Sequence, residues 1–189
     1  MAEMEIEMLL DLMAEKMDKT VESQQASFAA IRTGKANPAL VENLMIDYYG
    51  TQTRLRDLAG ITAPEPRLLV IQPWDRGAVQ AIEKAILTSN IGITPMSDGK
   101  LLRLPIPELS QERRNALSKQ AKAETEDAKV ALRNIRREAN ETAKKAQKDG
   151  EITEDELKKM LDDIQKMTDR YIASLDGLCA AKEKELMTM

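Results

Sequence analysis

The chain has 189 residues, with 28 lysines and arginines against 32 acidic residues, no histidine and one cysteine, for a net charge of −4. That length fits one domain or two small ones, and 32% charged with only 3% aromatic residues indicates long helices around a modest core. The absent histidine removes the commonest general acid/base and a common metal ligand. No Gly-rich phosphate loop, metal-ligand spacing or nucleophile elbow takes its place, so an enzyme is the weakest reading and no metal or cofactor is expected.

The acidic opening Met1-Ala2-Glu3-Met4-Glu5 resembles neither a signal peptide nor an Arg-rich transit peptide. No apolar run approaches the roughly 20 residues of a membrane span, which predicts a soluble cytoplasmic protein. Helical periodicity starts at once: Leu10, Met13, Met17, Val21, Gln24, Phe28 and Ile31 recur at three- and four-residue steps and predict a helix over 4–32, ended by Gly34 and Pro38. Residues 33–105 change character. Leu44, Ile46 and Tyr48 alternate with Met45, Asp47 and Tyr49, and Gly50-Thr51 offers a turn into 52–57, a hairpin pattern. Leu68-Leu69-Val70-Ile71 reads as a short buried strand, Asp75 as the cap of a helix presenting Val79, Ile82 and Ile86, and Asp98-Gly99 as a turn into a strand at 101–104. Trp74 and the tyrosines are expected to pack in this unit, because they are not interleaved with basic residues as a base-stacking platform would be.

Pro105 and Pro107 mark the exit from that unit. Ser110 can cap a helix over 111–148, with Glu112 favourably placed in its first turn. On a helical wheel Lys119, Lys122, Lys129, Arg133, Arg136, Arg137, Lys144 and Lys148 fall within a stripe roughly 120° wide, opposite Leu117, Ala121, Ala128, Ile135, Ala139, Thr142 and Ala146. Residues 119–148 hold nine basic and five acidic residues, a charge of +4 that leaves −8 for the remainder. A polyanion is the leading ligand for such a row, since neutralising spaced phosphates releases counterions; a merely solvated face is the commoner origin of a basic stripe. Lys129, in mid-stripe, is expected to stand in solvent.

The chain then breaks at Lys148-Asp149-Gly150-Glu151 and restarts on a capping box, Thr153 with Glu156, and a hydrophobic staple, Ile152 with Leu157. Leu157, Met160, Leu161, Ile164, Met167, Tyr171, Leu175, Leu178 and Leu186 form the last apolar stripe. Cys179 lies in this helix and reads as a small buried hydrophobe. Three amphipathic helices bury their stripes most economically against one another. The expected fold is α+β: a discontinuous three-helix bundle of 1–32 and 106–189, with a small β-rich α/β domain inserted at 33–105. Thr33, Gly34, Pro105 and Pro107 would form the hinge between them.

Ile31-Arg32-Thr33-Gly34-Lys35-Ala36-Asn37-Pro38, Tyr48-Tyr49-Gly50-Thr51 and Arg133-Asn134-Ile135-Arg136-Arg137-Glu138-Ala139-Asn140 resemble the first-hinge segment, the domain II hairpin and the central-helix signature of ribosome recycling factors. Glu112-Arg113-Arg114, Asp163-Ile164-Gln165-Lys166-Met167-Thr168-Asp169 and Lys184-Glu185-Leu186 extend the similarity in order over nearly the whole chain. The resemblance implies an L-shaped, tRNA-sized monomer. It would bind the large ribosomal subunit and its rRNA after termination and, with elongation factor G carrying the GTP, split the ribosome. It also implies RNA contacts at Arg32, Arg114, Arg133, Arg136 and Arg137, Arg136 foremost. Those of Lys122, Lys129 and Lys144 rest on the helical wheel alone. Lys35 stands where arginine is common in the family; it keeps the charge but loses bidentate geometry. A coiled-coil RNA-binding adaptor or structural protein is the alternative. It accounts for the long charged helices but leaves the insertion and the one-sided stripe unexplained.

Overall fold

A computed structural model describes residues 2–188, so Met1 of the opening segment lies outside it. In chain order the elements are α1 (Ala2–Ala29), β1 (Met45–Tyr48), β2 (Thr51–Arg54), β3 (Ala59–Glu65), β4 (Leu68–Pro73), α2 (Val79–Thr88), β5 (Met96–Ser97), β6 (Leu102–Pro105), α3 (Gln111–Lys148) and α4 (Glu154–Met187). The fold is α+β. It divides into one compact unit of residues 2–28 with Leu117–Glu185, and a second of Ala29–Ala116 with residues 186–188.

The first unit is a bundle of α1, α3 and α4 around Met13, Met17, Ala128, Leu132, Ala139, Ala143, Ile152, Met160, Ile164 and Leu175. Ser110 caps α3 as expected, its Oγ accepting from Arg113 N. Gly150 ends the helix at φ +79, a conformation a side chain disfavours, while Glu151 N donates to Ala146 O. The capping box restarts the chain reciprocally: Thr153 N donates to Glu156 Oε2 at 2.7 Å and Glu156 N to Thr153 Oγ1 at 3.1 Å. Cys179 is half-buried, not enclosed.

The buried face of α3 differs from the expected one. It comprises Leu117, Ser118, Ala121, Thr125, Ala128, Leu132, Ala139 and Ala143, whereas Thr142 is exposed and Ile135 and Ala146 are half-buried. Its centre is rotated by about 40° from the apolar pattern read in the sequence. Hydroxyls cause the difference: Ser118 and Thr125 look polar, yet Thr125 Oγ1 donates to Ala121 O at 2.8 Å and so enters the interior with its hydrogen bond made. Thr168 does the same on α4, donating to Ile164 O at 2.8 Å with no exposed surface.

In the second unit an antiparallel sheet of order β3-β4-β6-β5 and the separate hairpin β1-β2 close with α2 around Ile46, Leu55, Leu69, Ile71, Ile82, Ile86, Leu102 and Leu104. The hairpin turn is Tyr49-Gly50, at φ 49 and +81, between the paired residues Tyr48 and Thr51; both central residues are left-handed, as a type I′ turn requires. Asp98 accepts from Lys100 N and Leu101 N at the turn expected, whereas Asp75 accepts from Gly77 N and caps a 3-10 turn over Arg76–Ala78 that leads into α2, where a direct cap of α2 was expected. Strand β3 had no readable pattern: Ala59 is its one buried residue, and Pro64 sits beside a register shift on a sheet edge, where a missing N–H is tolerated. Trp74 is 70% exposed, because β4 alternates Leu69 and Ile71 inward and the chain leaves the strand on the outward phase.

The division between units does not fall at the expected linkers. Helix α1 stops at Ala29, three residues early. Thr33 and Gly34 are buried within the second unit, Pro105 pairs with Leu68 in the sheet, and Ile106 N donates to Arg67 O at 2.8 Å. All four expected hinge residues belong to the second unit.

Ile164→Ala should destabilise the bundle by about 2 to 5 kcal/mol, since the side chain is fully buried, and denaturant melts measure this directly. Tyr171 Oη donates to Asp18 Oδ1 at 2.6 Å, and burial followed by this bond pushes the phenol up to about 12. The folded state therefore favours the protonated phenol. The stabilisation is complete below the ordinary tyrosine range near about 10 and is lost as pH rises through about 12. In an alkaline absorbance titration Tyr171→Phe should remove one late phenolate transition.

Candidate nucleic-acid interface

Helix α3 runs antiparallel to both neighbours in the bundle, and each neighbour takes one edge of it. On the α1 side Lys16 Nζ lies 3.1 Å from Glu138 Oε1, and Ser27 Oγ donates to Glu124 Oε2 at 2.7 Å. On the α4 side Lys122 Nζ lies 3.6 Å from Glu183 Oε1, and Lys129 Nζ 2.5 Å from Asp176 Oδ1 and 3.4 Å from Glu126 Oε1. Arg136 Nη1 donates to Gln165 Oε1 at 3.5 Å. What remains between these edges is the open face of the helix.

That face carries Lys119, Arg133, Arg137, Lys144 and Lys148. All but Arg133, which is half-buried, are exposed. None makes an ion pair among the described residues. At 1.5 Å per residue the row spans about 43 Å. A surface of this kind attracts phosphates along its length. No group of three acidic or cysteine side chains able to hold a metal occurs among the described residues, nor is any helix there long and apolar enough to cross a membrane.

The model for the family described as Ribosome recycling factor matches residues 24–187. The chain belongs to the ribosome recycling factor family. It is 51% identical over 182 residues to the ribosome-recycling factor of a Geobacillus species, covering 96% of this chain and 98% of that one. Identity is also 51% over 185 residues to that of Carboxydothermus hydrogenoformans, 96% of this chain and all of the relative. A solution structure of a ribosome recycling factor superposes with a TM-score of 0.76 at 39% identity, over 98% of both chains. A second match comes from models for the T. thermophilus ribosome recycling factor and the E. coli elongation factor G bound to the E. coli post-termination complex. There the TM-score is 0.67 at 42% identity, over 97% of this chain and 99% of that one.

The structure sorts the eight residues expected to touch RNA. Arg133, Arg136, Arg137 and Lys144 share one region of α3. Lys122 and Lys129 belong to the same helix, but the rotated packing face turns them towards the acids of α4. Lys129 is the stronger departure: its side chain is only 15% exposed, and the bond to Asp176 raises its pKa. Arg32 is likewise engaged, its Nη2 donating to Pro107 O at 2.7 Å and Nη1 to Ile91 O at 3.4 Å within the second unit. Burial and the nearby Arg113 lower its pKa. Arg114, half-buried, also belongs to the second unit. What sequence reasoning missed is the contribution of α4, where Gln165, Asp176 and Glu183 decide which α3 cations stay free; the acidic residues at helical spacing were visible, but their register against α3 was not.

Lys129→Ala should therefore cost about 1 kcal/mol, through a lost ion pair and a lost buried stem, where Lys119→Ala stays within about 0.5 kcal/mol. Denaturant midpoints compare the two. The charged, paired lysine is the stabilising form, so this contribution holds at neutral pH and disappears only as pH rises through the raised lysine pKa.

Proposed function

We propose that the open face of α3 binds large-subunit ribosomal RNA after termination, and that the protein acts with elongation factor G and GTP to separate the ribosome into subunits in the cytoplasm. The observation that carries this reading is the row Lys119, Arg133, Arg137, Lys144 and Lys148, left without acidic partners while neighbouring cations on the same helix are neutralised. Unpaired cations release phosphate counterions on binding; cations already paired gain little. Family membership, and the recycling factor found with elongation factor G on a post-termination complex, support the choice of partners.

On this reading the protein is a monomeric, non-enzymatic factor. GTP is bound and hydrolysed by the elongation factor, while this chain supplies the grip on RNA. Arg133, Arg136, Arg137 and Lys144 make the contacts on α3, and Arg114 adds one from the second unit. Lys122, Lys129 and Arg32 serve the fold.

Arg136→Glu should weaken large-subunit binding at least about tenfold, since a charge-assisted contact is worth about 1.5 to 3 kcal/mol, and should leave the thermal melt unchanged. Co-sedimentation at several salt concentrations measures the effect. Wild-type affinity that ignores salt would sink the RNA-face reading.

A further inference from the structure

Lys122, Lys129 and Arg136 stand at seven-residue steps on α3, and Glu183, Asp176 and Asp169 stand at seven-residue steps on the antiparallel α4. A constant register across two such helices repeats its pairs every heptad. Two of the three rungs are direct ion pairs, Lys122 with Glu183 at 3.6 Å and Lys129 with Asp176 at 2.5 Å. The third would join Arg136 to Asp169. Among the described residues Arg136 makes no ion pair, and its partner is Gln165.

Gln165 occupies both sides of the missing rung. Its Nε2 donates to Asp169 Oδ1 at 2.8 Å, one turn along α4, and its Oε1 accepts from Arg136 Nη1 at 3.5 Å. An amide suits this place because it offers an N–H to the carboxylate and a carbonyl to the guanidinium while carrying no charge. Asp169 is satisfied without approaching the arginine. Arg136 is oriented without being neutralised.

We infer that Gln165 is a positioning residue that withholds Asp169 from Arg136 and so preserves a full positive charge at the edge of the open face. The inference rests on the RNA-face reading of α3 and gives it a selective element: the register that neutralises two cations is interrupted at the third by one neutral side chain. Asp163-Ile164-Gln165-Lys166-Met167-Thr168-Asp169, otherwise explained by the buried Ile164 and Thr168, thereby acquires a role for Gln165 and Asp169, two of its three exposed polar members.

The test uses Gln165→Ala, Asp169→Asn and the double variant in the full chain, with crystal structures and salt-dependent large-subunit binding. In Gln165→Ala, Arg136 should close to within about 4 Å of Asp169, the range of an ion pair. Binding should fall about five- to tenfold, and the slope of log affinity against log salt should shrink by about 0.7 to 0.9, the signature of one lost phosphate contact. Asp169→Asn in the same chain removes the competing charge and should restore affinity to within about twofold of wild type, a rescue that a merely structural role for Gln165 would not give. Wild-type binding by Gln165→Ala, persistent weakness of the double variant, or a Gln165→Ala structure lacking the new pair would each overturn the inference. Should Arg136→Glu itself bind normally, the RNA-face reading falls and takes the role of Gln165 in binding with it, while the crystal structure still decides whether Gln165 separates the two charges.

Discussion

The contact between α3 and α4 governs the rest of the bundle. The inner face of α3 is made of small residues, Ser118, Ala121, Thr125, Ala128, Ala139 and Ala143, with Leu117 and Leu132 as its large members, and Ala128, Leu132, Ala139 and Ala143 share a core with Met160, Ile164 and Leu175 of α4. Small residues let helices approach closely, and close approach fixes the rotation of α3 about its own axis. That rotation assigns Lys122 and Lys129 to the acids of α4 and leaves Lys119, Arg137, Lys144 and Lys148 to solvent.

Charge segregation follows from the same contact. Residues 119–148 carry +4 while the remainder of the chain carries −8. Lys16 of α1 holds one edge of α3 through Glu138, and Asp176 and Glu183 of α4 hold the other through Lys129 and Lys122. Exposed ion pairs of this kind contribute little stability one by one. Their larger effect is on the field: the α4 pairs remove Lys122 and Lys129 from the basic stripe, and the excess acid elsewhere disfavours other faces as sites for a polyanion.

Much of this architecture was legible because its determinants are local. The capping box at Thr153 and Glu156, the α1 and α4 stripes and the cap at Asp75 each depend on residues within a turn or two of one another. What escaped depends on partners distant in sequence. The phase of α3 was misjudged by about 40° because buried hydroxyls at Ser118 and Thr125 read as polar. Lys129 looked like a free cation until Asp176 appeared beside it, and Arg32 until its carbonyl partners did. Strand β3 owes its existence to pairing with β4, since its own residues hardly favour a strand. The expected linkers were placed at glycine and prolines, which punctuate the backbone without dividing the packing; the packing divides inside helices.

The choice of core side chains separates the two units chemically as well as spatially. Met13, Met17 and Met160 are sealed within the bundle, whereas the core of the second unit is built from isoleucine, leucine, valine and alanine, and its methionines Met45, Met96 and Met187 lie exposed. Peroxide reaches an exposed thioether directly, but a sealed one only when its surroundings open, and the resulting sulfoxide is too polar to return to an apolar interior. Oxidative damage would thus decorate the second unit and the exposed Met8 of the bundle while leaving the core of the second unit intact, and would act on the core of the bundle as a ratchet, each opening converting a reversible fluctuation into a lasting loss of packing. The sulfur chemistry makes the rate of Met13, Met17 and Met160 oxidation a clock for opening of the bundle alone, in a molecule where most other probes average over both units.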